Sequence, residues 1–489
     1  MTKTETTNIT DAIKKAEGFL LSKEEDYKDV GAVLTECKAV VLPILNVLKI
    51  LLEKLGNNSK NTSIPPSQDP NREKNLQSDK QQKKKPGGQP GRTGKTLAQF
   101  EQVDEVIDVP IDRDNLPSGH EYVTVGHEAR QVVELIIKRH IKEFRLEVVR
   151  DEDGRYYTAK APDGVNSTIQ YGTSVKTQAA YMYAFQMIPY KRIEDYFCDH
   201  GGIPVSSGTI FNINMLAYNL LESFEATAKL KLRGADVMHN DETSINIGGK
   251  KFWLHNASNQ EWVLYGAHKK RGVEAMDAMG ILPYFGGTSV HDHWKPYYKY
   301  KKCLHALCNS HHLRELKWVM ERFPEHRWAK KMSDLLNELN IVVDKAGGVL
   351  DEKAQQEQIK LYQAIFTIAD TECPPPPPHP EPKDGEKKKR GKVKRSKERN
   401  LIERLRDFES DVLRFMTNKD VPFTNNQGER DIRMVKVQQK VSGCFRSENG
   451  AKIFCRIRSY ILTCQRHGIK ATQGLTMLFQ GKLPEFCST

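Results

Sequence analysis

The chain has 489 residues, 75 Lys and Arg against 63 Asp and Glu, and a formal net charge of +12. That length exceeds a single hydrophobic core, which rarely grows past about 250 to 300 residues, and the basic residues gather in a few segments, which favours a polyanionic partner over a small acid. No apolar stretch approaches the roughly 20 residues that span a bilayer, Met1 to Thr10 is polar with no basic stretch followed by an apolar one, and the cysteines contain no Cys-x-x-Cys pair, so a cytoplasmic protein without a secretory leader and with reduced thiols is expected.

Residues 1–56 read as an N-terminal helical segment. Leu34, Val41, Leu48 and Leu55 recur at sevens with Cys37, Ile44 and Leu51 three residues later, the seam of a short coiled coil that would pair two chains. Pro43 interrupts the pattern and Val40, Leu45 and Leu52 widen it, so packing on the protein's own body is the alternative. Residues 57–100 lose apolar content to Asn, Ser, Pro, Gln, Lys and Gly, and form a basic linker or DNA-binding arm carrying Lys83, Lys84, Lys85 and Arg92.

Residues 101–170 are expected to make a small β-rich module, clearest where Glu143 to Val149 and Arg155 to Lys160 flank the turn at Asp151–Gly154. Helical periodicity occupies 171–230, broken at Pro189 and at Gly201–Pro204, with Ser206, Ser207 and Thr209 opening the following helix. This is either a helix-turn-helix or an ordinary helical hairpin. From 231 to 489 the order is three strand-like runs (Ala235 to Asp241, Lys251 to Ala257, Trp262 to Ala267), a short helix, a fourth run (Gly287 to His291), and then helices. That is the order of an α/β, RNase H-like domain. A helical insertion with a Pro-rich, basic loop falls at about 313–420: helices from about Leu313 to Ala369, the prolines Pro374 to Pro378, and a basic stretch from Lys387 to Arg399 read as loop or linker.

Three acids end or begin these elements. Asp241 closes the first strand run, Asp292 closes the fourth, and Glu429 lies near the start of a late helix. Phosphodiester cleavage needs a charge-stabilised in-line displacement, commonly with two divalent cations about 3.5 to 4 Å apart. Mg²⁺ takes oxygen ligands from a few carboxylates. Each acid by itself is equally an ordinary cap or surface charge. After Glu429, Arg430, Arg433, Lys436 and Lys440 recur at steps that put them along one helix face, either to meet a DNA backbone or as a solvated face in which Glu429 pairs with Arg433.

These segments resemble the insertion-sequence-66 family of bacterial transposases, from the linker to the C-terminus. Pro65-Pro66-Ser67-Gln68-Asp69 and Pro86 to Gly94 resemble its proline-serine and glycine-rich arm. Asp241-Glu242-Thr243, Asp292-x-Trp294-x-x-Tyr297 and Asn425-Asn426-x-x-Glu429-Arg430-x-x-Arg433 resemble its three catalytic blocks. The resemblance implies an RNase H-like fold with a helical insertion, and a DDE enzyme in which Asp241, Asp292 and Glu429 hold two Mg²⁺ (or Mn²⁺) ions. It further implies cleavage at the ends of a mobile element and transfer of the freed 3′-hydroxyls into target DNA. The partners implied are terminal inverted repeats, target DNA, further copies of the chain and small accessory proteins. An RNase H-like nuclease or resolvase, or an inactive transposase-derived DNA-binding protein, are the alternative functions.

Cys308-x-x-His311-x-x-Arg314 is similar to the family's Cys-x-x-His block. His311 and Arg314 are expected near the active site, contacting phosphate or orienting a carboxylate, with a purely structural role as the alternative. Zinc is not expected there, because His305, Cys308, His311 and His312 crowd one short segment with no second ligand pair elsewhere. Many family members carry a cysteine-rich zinc-finger block after the arm, yet Val103 to Glu134 contains no cysteine. End recognition therefore falls to the arm, the β-rich module or the helical region.

Overall fold

Alternating apolar residues, closed by a Gly-Gly turn, build the first hairpin of the central sheet. In a computed structural model, which describes residues 98–377, Val393, 395–487 and the isolated positions Val41, Ile44, Leu45, Leu48, Asn58, Asn61 and Asp69, strands Val237–Ile247 and Lys250–Ser258 pair antiparallel with Ile247 opposite Lys250. The loop is Gly248-Gly249, both at positive φ (56° and 81°), the backbone a tight two-residue hairpin demands.

Numbered in chain order, the strands are β1 (Val148–Arg150), β2 (Tyr156–Thr158), β3 (Val237–Ile247), β4 (Lys250–Ser258), β5 (Val263–His268), β6 (Thr288–His291) and β7 (Leu304–Leu307). The main sheet runs β5-β4-β3-β6-β7. Its first three strands form an antiparallel meander, while β6 joins β3 and β7 in parallel. Every residue of β6 is buried, as befits a central parallel strand covered on both faces. Its entry needs Gly287, where an added Cβ would collide with the carbonyl oxygens of Ala235 and Asp236.

Helices cover the sheet. One layer draws on α1 (Thr173–Ala184), α3 (Ser207–Leu220) and α4 (Glu222–Arg233), and on α12 (Glu448–Arg466) and α13 (Ala471–Phe479), which share a core with Met238, Ala257 and Leu264 of the sheet. Between α1 and α3 lies α2 (Tyr190–Gly201). Ser206 caps α3 through Thr209 N (3.2 Å), but Ile210, Ile213, Asn214 and Ala217 of that helix are buried. A short α5 (Val273–Met279) leads to β6. After β7, α6 (Asn309–Arg322), α7 (Trp328–Lys345), α8 (Glu352–Glu372), α9 (Lys397–Asp407) and α10 (Glu409–Val412) build a second core against Val290, Ala306 and Leu307. Then α11 (Asn426–Ser442) returns to the sheet, packing Ile432 and Val435 beside Ile245 and Leu254.

Several expectations change. The stretch 101–170 forms one ladder, β1 with β2 about the expected turn, and contains no buried residue. The basic run ending at Arg399 is partly helix: Ser396 caps α9, and Arg399, 3% exposed, pairs with Asp370 and Glu403. Strand β7 adds a fifth strand to the four expected. Most of the coiled-coil seam, and Lys83, Lys84, Lys85 and Arg92 of the arm, lie outside the described residues. Among the described residues no helix is long and apolar enough to cross a membrane.

Candidate metal centre

Strands β3 and β6 deliver two acids to the same edge. Their parallel register sets His239 opposite Val290, two residues short of Asp241 and of Asp292 respectively. Asp292 follows the end of β6 as expected, whereas β3 runs on to Ile247, so Asp241 lies within its strand opposite Asn256 rather than closing it. Asn240 Nδ2 donates to Ser289 Oγ across the pair at 2.9 Å. Asp241 Oδ1 accepts from the backbone N–H of Glu242 at 2.8 Å, and Asp292 Oδ1 from that of Trp294 at 3.0 Å. Each carboxylate is thereby held in a local side-chain-to-backbone turn.

The third acid arrives on α11. Asn425, 2% exposed, precedes that helix and acts as a clasp. Its Nδ2 donates to Asn240 O (2.8 Å), its Oδ1 accepts from His239 Nδ1 (2.7 Å), and its backbone N–H donates to Cys308 Sγ (3.2 Å). The start of α11 is thus tied to the residue next to Asp241, and Glu429 follows within the first turn. Gly428 leaves room for the clasp: a Cβ there would lie 2.9 Å from Asn425 Oδ1 and 3.1 Å from Nδ2. Gly428→Ala should therefore displace the amide and weaken the acid cluster's affinity for a divalent ion about ten- to hundredfold, the usual cost of a lost orienting contact. A Mn²⁺ titration reads this directly; wild-type affinity in the variant would uncouple the clasp from the acids.

The electrostatics show that the acids converge. Burial raises the Asp241 carboxyl well above the carboxylate range, and Glu242, Asp292 and Glu429 raise it further. Burial also raises Asp292, against the Trp294 N–H and the Arg271 and Arg404 guanidiniums. Glu429 is raised by burial and by Asp292, with Arg314 opposing. Glu242, whose side chain is 2% exposed, is pushed up to about 7 by burial and Asp292. It remains there although Arg271 donates to its Oε1 from Nε (2.9 Å) and Nη2 (2.6 Å), and Tyr297 OH donates to its Oε2 (2.7 Å). The Arg271 guanidinium is itself stacked between Trp253 and Trp294, 4.8 and 4.0 Å from their ring centres.

Such crowding costs free energy unless a cation compensates it. Glu429 Oε1 is buried without a hydrogen-bond partner among the described residues. Clustered carboxylate oxygens with an orphaned one among them fit a hard divalent cation. Asp241, Asp292 and Glu429 are the candidates for that donor set, whereas both oxygens of Glu242 are already engaged.

The other sequence-predicted residues divide. His311 Nδ1 and Arg314 Nη2 lie 3.8 and 3.7 Å from Glu429 Oε1, so Glu429 pairs with these two rather than with Arg433. Trp294 and Tyr297 sit at the centre through Arg271 and Glu242. Asn426, Arg430, Arg433 and Lys440 are exposed along α11. Lys436 departs from that face: its Nζ donates to Ser244 O (2.5 Å) and contacts Ser244 Oγ (3.3 Å), binding the helix to β3. Sequence reasoning missed Arg271 and Arg404 as parts of the site. Arg271 ends a Lys-Lys-Arg run that reads as a polar turn, and Arg404, an α9 residue paired with Glu315, gives no signal of its nearness to Asp292.

Residues 168–453 match the family model described as Transposase IS66 family. No curated protein matches the chain.

Proposed function

The chain belongs to the IS66 family of transposases, and from that premise we propose that it cuts DNA at the ends of its own mobile element and joins the freed 3′-hydroxyls to target DNA. The observation that carries this reading is the coupling of Asp241 to Asp292 and Glu429 where α11 meets β3 and β6, with all three carboxyls raised by burial and those of Asp241 and Glu429 raised further by neighbouring acids. An RNase H-like reading of residues 231–489, with the helices between β7 and α11 as an insertion, is supported by the strand order β5-β4-β3-β6-β7 and its antiparallel-then-parallel pairing.

In this reading Asp241, Asp292 and Glu429 are the metal ligands and the metal is Mg²⁺ or Mn²⁺. When bound, a pair of such ions stabilises the attacking and leaving oxygens of an in-line displacement at phosphorus. Water is the nucleophile for end cleavage and a 3′-hydroxyl for joining, so no covalent protein–DNA intermediate is involved. The Arg271–Glu242–Tyr297 brace fixes the stretch of β3 carrying Asp241. Arg314 and His311 flank Glu429, where a guanidinium can take a phosphate oxygen. The exposed cations Arg430, Arg433 and Lys440 run along α11 beyond Glu429 and would track the DNA backbone. The arm, the ladder-bearing stretch and the helical region are the candidates for end recognition, with a multimer on paired ends and accessory proteins of the same element as partners.

The deciding experiment supplies pre-cleaved element ends and target DNA with Mg²⁺. Joined product is expected; cleavage of intact ends without any joining would make the protein a nuclease or resolvase instead.

The raised carboxyls also predict a pH signature in metal-free protein. Glu242 goes from its ordinary 4.5 to about 7 on folding, so between those values the folded state binds the extra proton. Its contribution to stability is present in full below about pH 4.5 and is lost as pH rises through about 7, worth up to about 3 kcal/mol. Histidines such as the buried His255 and the half-buried His311, lowered to about 4 chiefly by desolvation, act in the opposite sense, favouring stability above their ordinary 6.5. The informative measurement is therefore the difference between wild type and Glu242→Gln in thermal unfolding under chelator. The variant should gain relative stability from pH 5 to pH 8, and a pH-independent difference would refute the assignment.

A further inference from the structure

The Cys-x-x-His segment meets α11 at Glu429, and its Cys308 has no part in the proposed reaction. Cys308 is the N-cap of α6 and His311 lies three residues on, so both face one side of that helix's first turn. The first turn of α11 brings Glu429 against them. Cys308 Sγ, a ring nitrogen of His311 and a Glu429 oxygen lie within 4.8 Å of one another. Two of the three atoms are orphans: His311 Nδ1 and Glu429 Oε1 are both buried, 3.8 Å apart, and neither has a hydrogen-bond partner among the described residues. Polar atoms left so are expected to have a ligand or water between them.

The donor types choose the ligand. Sulfur, imidazole nitrogen and one carboxylate oxygen are a poor set for Mg²⁺, which demands oxygen, and a good one for Zn²⁺. Around a tetrahedral Zn²⁺, such atoms stand about 3.3 to 3.7 Å from each other. The observed spacing needs a contraction of roughly an ångström, within reach of side-chain rotation alone. A thiolate and a carboxylate together neutralise the ion, and both residues sit at helix N-termini, which favour negative charge.

We propose that Cys308, His311 and Glu429 form a binding site for a soft divalent cation of the Zn²⁺ class, separate from the oxygen-only site but sharing Glu429 with it. Binding converts the Cys308 thiol to a thiolate, its proton passing to solvent as the sulfur–metal bond forms. The Arg314 guanidinium, 3.7 Å from the same Glu429 oxygen and one-third exposed (32%), swings outward as the cation arrives. Three protein ligands leave a fourth position open. The consequence for catalysis rests on the function proposed above: with Glu429 committed to zinc, the oxygen site loses its third carboxylate and Mg²⁺-dependent cleavage falls. The sequence pointed away from zinc because Cys308 and His311 had no further ligand nearby in the chain; the fold supplies one from α11.

The test uses the full-length protein with metals alone. Titration with Co²⁺, a spectroscopic stand-in for Zn²⁺, should give a sulfur-to-cobalt charge-transfer band saturating at one equivalent and displaced by Zn²⁺. Cys308→Ser should abolish that band, and His311→Ala should lower the Co²⁺ affinity at least about tenfold. A wild-type protein without the band, or a band that survives in Cys308→Ser, overturns the proposal, since the chain has other cysteines that would then be responsible. His311→Ala covers the case in which the serine variant does not fold. In parallel, the zinc concentration that halves Mg²⁺-dependent cleavage should rise at least about tenfold in His311→Ala, each variant being compared with its own zinc-free rate. Equal zinc sensitivity would refute the sharing of Glu429. Failure of the transposase reading looks different: the cobalt band would persist while Asp292→Asn cleaved DNA as well as wild type.

Discussion

Asp292→Asn is expected to lower Mg²⁺-dependent end cleavage by about a thousandfold or more while leaving DNA binding near wild type. The substitution keeps the side chain's size and the oxygen that accepts from Trp294 N–H, but removes the charge that would hold a cation. Metal stabilisation of a phosphoryl displacement is worth several kcal/mol, and about 4 kcal/mol is about a thousandfold in rate. Glu242→Gln is the internal comparison. Both its oxygens are occupied by Arg271 and Tyr297, so its loss should act through orientation and cost about ten- to hundredfold. Cleavage and mobility-shift assays on one end fragment measure both. If the two variants fell equally far, the division into three ligands and one brace would have to be redrawn; if Asp292→Asn kept a tenth of the activity, the metal assignment would be wrong.

Arg466→Ala should destabilise the protein by about 3 to 5 kcal/mol, the cost of breaking a buried ion pair from one side. Arg466 Nη2 reaches both oxygens of Asp431 at 2.7 Å, and the two side chains are only 17% and 11% exposed. Its Nη1 donates to the carbonyls of Asn259 and Trp262. Asp431 also accepts from Ser258 Oγ at 2.7 Å, and its carbonyl accepts from Tyr265 OH at 2.6 Å. One cluster thereby fastens α11, two residues beyond Glu429, to α12, β4 and β5. Urea unfolding should show the midpoint fall. Pairing Arg466→Met with Asp431→Asn should recover part of the loss, because no lone charge is then left buried. A change under 1 kcal/mol in Arg466→Ala would mean that solvent reaches the pair and that α11 is held elsewhere.

What could be read in advance followed from pattern strength. The runs ending in Asp241 and Asp292 and the β4–β5 pair carry clear apolar patterns, and all became strands. Leu304–Leu307 did not announce itself: four residues that include a histidine are too short to show a period, and only the neighbouring β6 makes them a strand. The strand-like pattern within 101–170 gave one short ladder at the expected turn, and Val109, Val125 and Leu135 are among the exposed side chains of that stretch. Alternation records strand propensity, not a partner. In the site, the acids were legible because they stand in three recognisable blocks. The charge that braces them was not: Arg271 acquires its role by insertion between Trp253 and Trp294, residues on different elements that no local window joins. Lys436 shows the converse, a helix-face cation whose spacing matched its neighbours but whose ammonium turns to the sheet.

The position of α11 has a consequence for the order in which the molecule becomes itself. Asp241 and Asp292 are brought together by neighbouring strands early in the chain, but Glu429 must wait for the whole helical segment from Asn309 to Val412, with its separate core, and then for α12 to receive Asp431. Chains emerge N-terminus first, and such long-range closures come late. A chain still on the ribosome, or one truncated before α11, carries two acids and no third. On the proposed reading the scissors stay unassembled until α11 and α12 have both left the ribosome, and a fragment that stops short of them has no blade to close.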